Sequence, residues 1–255
     1  MATAGSGTSL PVIGNAQGTY TLGQLILLWR RRLDDEAEPY LWNNEEFTEF
    51  ADRLQKELSH EMPLFEDRWT DDVCRVALTA GADLLTLSGR VKEIISAALI
   101  GGTELTIVDS SYMDRLRPGW SETEEVDGVV HLVAERGTPT HLVKTGQTTA
   151  VLYPPLEDAT ATLELRLLRG PLVDLNYDAH AGEYLEVDKF SHLLVYGIMF
   201  QAFTKSDADT GAGTRAEQYR VLWEGRDGYG GDKERIKRLV WTAKGIGAQG
   251  VADIV

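Results

Sequence analysis

Leu22, Leu25, Ile26, Trp29 and Leu33 recur at the three-to-four spacing of one helix face. Thr21 and Gln24 precede this stripe in the capping-box arrangement, in which the N-cap and N3 side chains each satisfy the other's backbone N–H. The pattern predicts a first helix that stops at Asp34-Asp35-Glu36, with Pro39 forbidding continuation. Asn43 and Glu46 repeat the capping signal before a second stripe of Phe47, Phe50, Ala51, Leu54 and Leu58.

From Val73 to Leu168 the texture changes to short β-prone runs: Val73 to Leu78, Val91 to Ile100, Thr103 to Val108, His141 to Val143, Thr149 to Tyr153 and Thr162 to Leu168. Gly101-Gly102 and Lys144-Thr-Gly-Gln147 lie between such runs and read as hairpin turns. Leu163, Leu165 and Leu167 alternate with Glu164 and Arg166, the period-two signature of a strand with one buried face. Ser111 to Leu116 reads as a short helical insert stopped by Pro118-Gly119. Successive hairpins favour an antiparallel sheet or small sandwich over a doubly wound fold.

Helical spacing returns at Val187, Phe190, Leu194, Ile198 and Gln201, while Leu193, Tyr196, Gly197 and Phe200 fill most of the remaining surface. A helix apolar nearly all round is a central, buried one. Thr214-Arg-Ala-Glu217 is a third capping box, opening a helix with Tyr219, Leu222 and Trp223. Gly228-Tyr-Gly-Gly231 interrupts or ends it, and Asp232 to Lys244 forms a last helical piece. The expected organisation is a Gly/Ser/Thr-rich arm at 1–18, helices of a bundle at 19–72, a β-rich domain at 73–170, further bundle helices at 185–225 and a basic segment and tail at 226–255. The fold class is therefore α+β: N-terminal and C-terminal helices forming a small bundle, with an antiparallel β-rich middle.

Composition narrows the function classes. With 255 residues, 43% hydrophobic, the chain can bury a substantial core. Its net charge of −15 argues against tight nucleic-acid binding, which needs a basic face to neutralise phosphates. Loose passage of DNA past an acidic wall is compatible with that charge. The longest apolar stretch, Leu193 to Phe203, is about half the ~20 residues of a membrane span. A single cysteine, Cys74, rules out an intrachain disulfide and reads as a small core residue.

Charge is unevenly spread. Between Asp34 and Asp72 there are 14 acidic and 3 basic residues, a local balance of −11. From Asp232 to Lys244 the balance is +3, and Ile236 and Trp241 interleave with the basic residues. Each run is either a solvated face or an interface. Candidate interface residues are Lys233, Arg235, Lys237, Arg238 and Trp241. On the acidic run the candidates are Glu45, Glu46 and Glu49. No catalytic, cofactor or metal site is indicated. The five histidines form no ligand pair, and no phosphate-cradling or nucleophile-elbow motif occurs. Gly211 to Ala216 and Gly245 to Gly250 fit dinucleotide patterns but lack the strand–turn–helix context that gives such glycines their chemistry, and read as loops.

The order of motifs resembles tailed-phage head-to-tail adaptor proteins. The resemblance rests on Thr21-Leu-Gly-Gln-Leu25, Arg31-Arg-Leu-Asp-Asp35 and Pro39-Tyr-Leu-Trp42. It continues with Gly137-Thr-Pro-Thr-His141, Val151-Leu-Tyr-Pro-Pro155 and Lys205-Ser-Asp-Ala-Asp209, and covers roughly Thr21 to Trp223. It implies a non-enzymatic virion protein of the neck, assembled in the host cytoplasm without cofactor or membrane. Such a protein forms a ring of about twelve copies beneath the portal. Its partners would be the portal protein, tail or nozzle proteins and further copies of itself, with DNA passing through unbound. The Asp232–Val255 segment is then the candidate for portal docking, dispensable to the folded core, and Glu45, Glu46 and Glu49 are the candidates to face the DNA channel. Two other readings stay open: a head- or tail-completion protein at another level of the neck, and a β-sandwich protein that binds or hydrolyses carbohydrate.

Overall fold

The computed structural model describes residues 20–78, 84–102, 104–126, 129–132, 134, 136–157, 161–205, 212–226 and 229–244. The expected arm at 1–18, the tail from Gly245 and the second glycine pattern lie outside them. The chain divides into two compact units, Met1–Leu64 with Val173–Val255, and Phe65–Leu172.

The elements begin with helices α1 (Leu22–Leu33) and α2 (Asn44–Glu61). Strand β1 (Phe65–Asp67), the single turn α3 (Asp71–Cys74) and strand β2 (Arg75–Leu78) follow. Next come β3 (Leu84–Thr86), β4 (Val91–Leu99), β5 (Glu104–Asp109) and helix α4 (Ser110–Leu116). Strands β6 (Thr123–Val126), β7 (Val129–Leu132), β8 (His141–Lys144), β9 (Thr149–Tyr153) and β10 (Ala161–Arg169) complete the β-rich middle. Helix α5 (Tyr177–His180), a 3-10 segment (Asp188–Leu193) and helices α6 (Val195–Thr204) and α7 (Ala212–Glu224) then lead to the small hairpin of β11 (Gly225–Arg226) and β12 (Tyr229–Gly230). Helix α8 (Asp232–Ala243) comes last. The fold is α+β, with helices at both ends and a β-rich middle.

The first two expected capping boxes are present. Thr21 Oγ1 accepts from the Gln24 N–H at 3.4 Å and Gln24 Oε1 accepts from the Thr21 N–H at 2.9 Å. Asn43 and Glu46 make the same reciprocal pair at 2.7 and 2.9 Å. The corner between α1 and α2 is organised by a buried ion pair. Arg30 donates to Asp35 Oδ2 at 2.7 Å and to Asn44 Oδ1 at 2.8 Å, with its guanidinium 3.8 Å from the centre of the Tyr40 ring. Asp35 in turn accepts the backbone N–H groups of Leu41 and Trp42. The Trp42 indole then donates to the Ala202 carbonyl at 3.1 Å, tying this corner to α6.

Helix α6 packs against α1, α2 and α7. Its Gly197 makes this possible, because a Cβ there would stand 2.9 Å from Leu54 of α2 and 3.1 Å from the Trp223 ring of α7. Trp29, Trp42, Phe47, Phe50, Phe203, Tyr219 and Tyr196 form a continuous aromatic seam, with neighbouring ring centroids 5.5–6.3 Å apart. Two expectations are corrected here. The Val187–Gln201 stripe is not one α-helix, since its first half is a 3-10 segment and only Val195–Thr204 is α-helical. Thr214 does not open a helix either. It lies two residues inside α7, so Thr214-Arg-Ala-Glu217 is a helical turn and not a cap.

In the second unit, one sheet runs in the order β1-β10-β4-β5-β8-β9-β3, with β2 also pairing β10. The hairpins expected at Gly101-Gly102 and at 144–147 join β4 to β5 and β8 to β9. One pairing departs from the antiparallel reading: β5 and β8 run parallel, joined by a crossover containing α4 and the β6–β7 hairpin. Another difference is at Val73 and Cys74, which close the turn α3 and leave the strand to begin at Arg75. Leu163, Leu165 and Leu167 face the main core with Leu142 and Leu152, while Val143 and Val151 face a second cluster around Met113 and Trp120. Both faces of β8 and β9 are therefore covered, which explains their continuous apolar runs.

A second buried ion pair pins β1 to β10. Arg169 Nε donates to Asp67 Oδ2 at 2.6 Å, and Asp67 also accepts from Thr70 Oγ1 and from the Trp69 and Thr70 N–H groups. Burial would raise the Asp67 carboxyl, but the hydrogen bonds from Thr70, Trp69 and Arg169 outweigh it and hold the group well below the usual carboxylate range.

Two outcomes are expected. Gly197→Ala overpacks the contact between α2, α6 and α7 and costs about 1–3 kcal/mol in urea denaturation. Arg169→Met leaves a buried carboxylate short of its cation and costs about 3 kcal/mol at neutral pH. Because the folded pKa of Asp67 is depressed, its contribution is present above the unfolded value of ~3.9 and is lost as pH falls below it. The acid limb of wild-type stability should accordingly be steeper than that of Arg169→Met.

Candidate protein interface

Helix α8 is held to the helical unit in two ways. Ile236 and Val240 are buried, at roughly 1.5–3 kcal/mol each for full burial. Lys233 donates to Glu57 at 2.6 Å and to Glu61 at 2.5 Å, both on the last turns of α2. Burial opposes the charge on Lys233, but the two carboxylates more than compensate and raise its pKa. Removing Asp232–Val255 would therefore strip two core side chains and an ion-paired lysine from the helical unit. The segment is not dispensable to the fold.

Between α7, the β11–β12 hairpin and α8 lies a groove of about 730 Å³. Tyr196, Val221, Leu222 and Leu239 line it, with Tyr229 beside them and Arg226, Arg235 and Arg238 among its charged residues. Leu222 and Leu239 are nearly half exposed and Tyr229 is 85% exposed. The hairpin needs its glycines. Gly225 has φ of +96°, and a Cβ on Gly225 or on Gly231 would come within 2.3 Å of backbone carbonyl oxygens. The backbone closure leaves Tyr229 standing in solvent. Tyr and Arg around an apolar floor is the composition of an interaction surface.

The residues singled out from sequence separate into different roles. Arg235 and Arg238 line the groove. Arg235 makes no ion pair among the described residues, and Arg238 lies 3.7 Å from Glu234. Lys237 is half-buried outside the groove lining. Trp241 is partly buried, and its indole N–H has no acceptor among the described residues. Lys233 is engaged within the chain. Of the acidic three, Glu46 caps α2 and pairs with Lys205 at 2.5 Å. Burial would raise its carboxyl, but the Lys205 and Asn43 hydrogen bonds lower it. Glu49 pairs with Arg53 on an exposed face, and Glu45 is exposed.

Groups that could carry other chemistry are absorbed by structure. Cys74 is fully buried, and burial next to the Asp67 charge pushes its thiol up to about 12, so it is no nucleophile. No cluster of three or more potential metal ligands occurs among the described residues. Trp29, Trp42, Trp120 and Trp223 are spent in cores, not on a sugar-stacking platform. Among the described residues no helix is long and apolar enough to cross a membrane.

The family model described as SU10 adaptor protein matches residues 20–238. The chain belongs to that family. The match runs from the N-cap of α1 into α8 and so takes in both units. The resemblance to phage head-to-tail adaptors is thereby borne out at family level, and the adaptor's role is structural. No curated protein matches the chain.

The adaptor's groove was only partly visible in the sequence. Charge points to α8, but Leu222 reads as part of a helix and Tyr229 as part of its glycine-rich breaker. A tyrosine flanked by glycines, with no apolar neighbour in register, was the available signal.

Substitution should separate the two roles on α8. Lys233→Met should cost about 1 kcal/mol, because Glu57 and Glu61 lose their cation but remain partly solvated. Tyr229→Ser or Arg235→Ser should stay within about 0.5 kcal/mol of wild type, because neither side chain holds the fold. Thermal and urea denaturation of the three variants would check this.

Proposed function

We propose that the chain is a head-to-tail adaptor of a tailed phage. It assembles as a ring of roughly twelve copies beneath the portal, joins capsid to tail and leaves a channel open for DNA. The carrying observation is the adaptor family match across both units. The net charge of −15 supports the channel part of this reading, since an acidic wall repels DNA and lets it pass without sticking. The groove between α7 and α8 supports the assembly part, because it presents apolar and cationic groups that no other described residues of the helical unit cover. The protein acts by binding the portal, tail-side proteins and its own copies in the virion neck.

The test is mass photometry of the purified chain, alone and mixed with its cognate portal ring. The expected result is addition of about one copy per portal subunit, with ring contacts completed on the template. A portal ring whose mass does not change at any salt or protein concentration would sink this reading and favour a completion protein at another level of the neck.

A further inference from the structure

The two ends of α2 carry opposite surfaces. At its N-terminal end stand Glu38 of the preceding loop, exposed Leu41, and Glu45 and Glu49 of the first turns, all solvent-facing. Glu38 and Glu45 have no ion-pair partner among the described residues, and Glu49 pairs only with exposed Arg53. The C-terminal end is where Lys233 clamps α8 through Glu57 and Glu61, bringing the groove with Arg235 and Arg238 beside it. The helix has 18 residues, so its ends lie about 27 Å apart. The acidic corner and the cationic groove therefore cannot meet within one copy.

We propose that the groove between α7, the β11–β12 hairpin and α8 receives the acidic α1–α2 corner of a second copy of this chain, in a head-to-tail contact. This rests on the adaptor reading and deepens it by naming the two surfaces. Two different complementary patches at opposite ends of one rigid helix generate a heterologous contact, which propagates around a ring or along a filament and does not stop at a two-fold dimer. Leu41 supplies the apolar group for the floor made by Leu222 and Leu239, and Glu45 and Glu49 supply the carboxylates for Arg235 and Arg238. The intrachain pairs make the assignment specific. Lys233 and Lys205 are already neutralised by Glu57, Glu61 and Glu46, whereas Arg235 has only the field of Asp232 on its own helix and no ion pair among the described residues, so its guanidinium and the Glu45 carboxylate can pair between copies. A contact of this kind can be weak between two copies and still hold once several close together, because each further contact forms within one assembly.

The experiment uses full-length Ala37→Cys and Thr242→Cys variants, which keep Glu45, Glu49, Arg235 and Arg238, and a short thiol cross-linker; Cys74 is buried and silent. Each variant is treated alone and as an equal mixture, both in concentrated solution and with the portal ring. The mixture should give a cross-linked dimer at least about tenfold above either variant alone, and adding Arg235→Glu to the Thr242→Cys partner should abolish the gain. Equal or greater yield from either variant alone would indicate a two-fold contact and overturn the proposal. So would the absence of a mixed product in both conditions. Arg235→Glu/Arg238→Glu that loads onto the portal with wild-type stoichiometry would overturn the proposal while leaving the adaptor reading intact. Wild-type protein that ignores the portal, while the two cysteine variants give the mixed dimer in solution, would separate the two the other way.

Discussion

The helical unit depends on a close approach at Gly197. Helix α6 must lie against Leu54 of α2 on one side and the Trp223 ring on the other, and no side chain larger than hydrogen fits between them. With α6 seated there, Phe203 reaches Trp42 and Tyr219, and the Ala202 carbonyl reaches the Trp42 indole. The α1–α2 corner, fixed by Arg30 and Asp35, then has a surface to rest on. The placement of α7, and with it the groove, follows from the same contact.

Charge in this chain does two separable jobs. Arg30 with Asp35 and Arg169 with Asp67 are buried and satisfied by several further hydrogen bonds each, the condition under which a buried pair specifies geometry without a heavy desolvation penalty. Lys205 with Glu46 and Lys233 with Glu57 and Glu61 hold helix ends at the surface. What remains, chiefly Arg235 and the exposed acids before and within the start of α2, is not needed for folding. These pairs take up cations as well as carboxylates, so the net charge of −15 is not reduced by them.

The helices most clearly written in the sequence were those with local caps. Thr21 with Gln24 and Asn43 with Glu46 act within one turn, so neighbouring residues decide them. Leu163, Leu165 and Leu167 were equally clear, because alternation is a local property too. The parallel pairing of β5 with β8 was not readable, since it depends on where a crossover of some thirty residues returns the chain, and the two strands alone are as compatible with either direction. Thr214 misled for a related reason: a capping sequence is necessary for a cap but does not prevent an established helix from running through it. The groove was invisible as a shape because Leu222, Tyr229 and Arg235 are brought together by three different elements.

The helical unit is discontinuous in the chain. Its α2 is made before the β unit and its α8 well over a hundred residues later, whereas the β unit is contiguous. During synthesis the β unit can fold as soon as it emerges, while α1 and α2 wait with an uncovered apolar face. Glu57 and Glu61 find their cation only when α8 has been translated. A ribosome that stops early thus releases a chain without its groove and with an unfinished bundle. Under the ring assembly proposed above, such a chain would lack the surface that meets its neighbour, so the order of the segments would screen the parts before assembly begins.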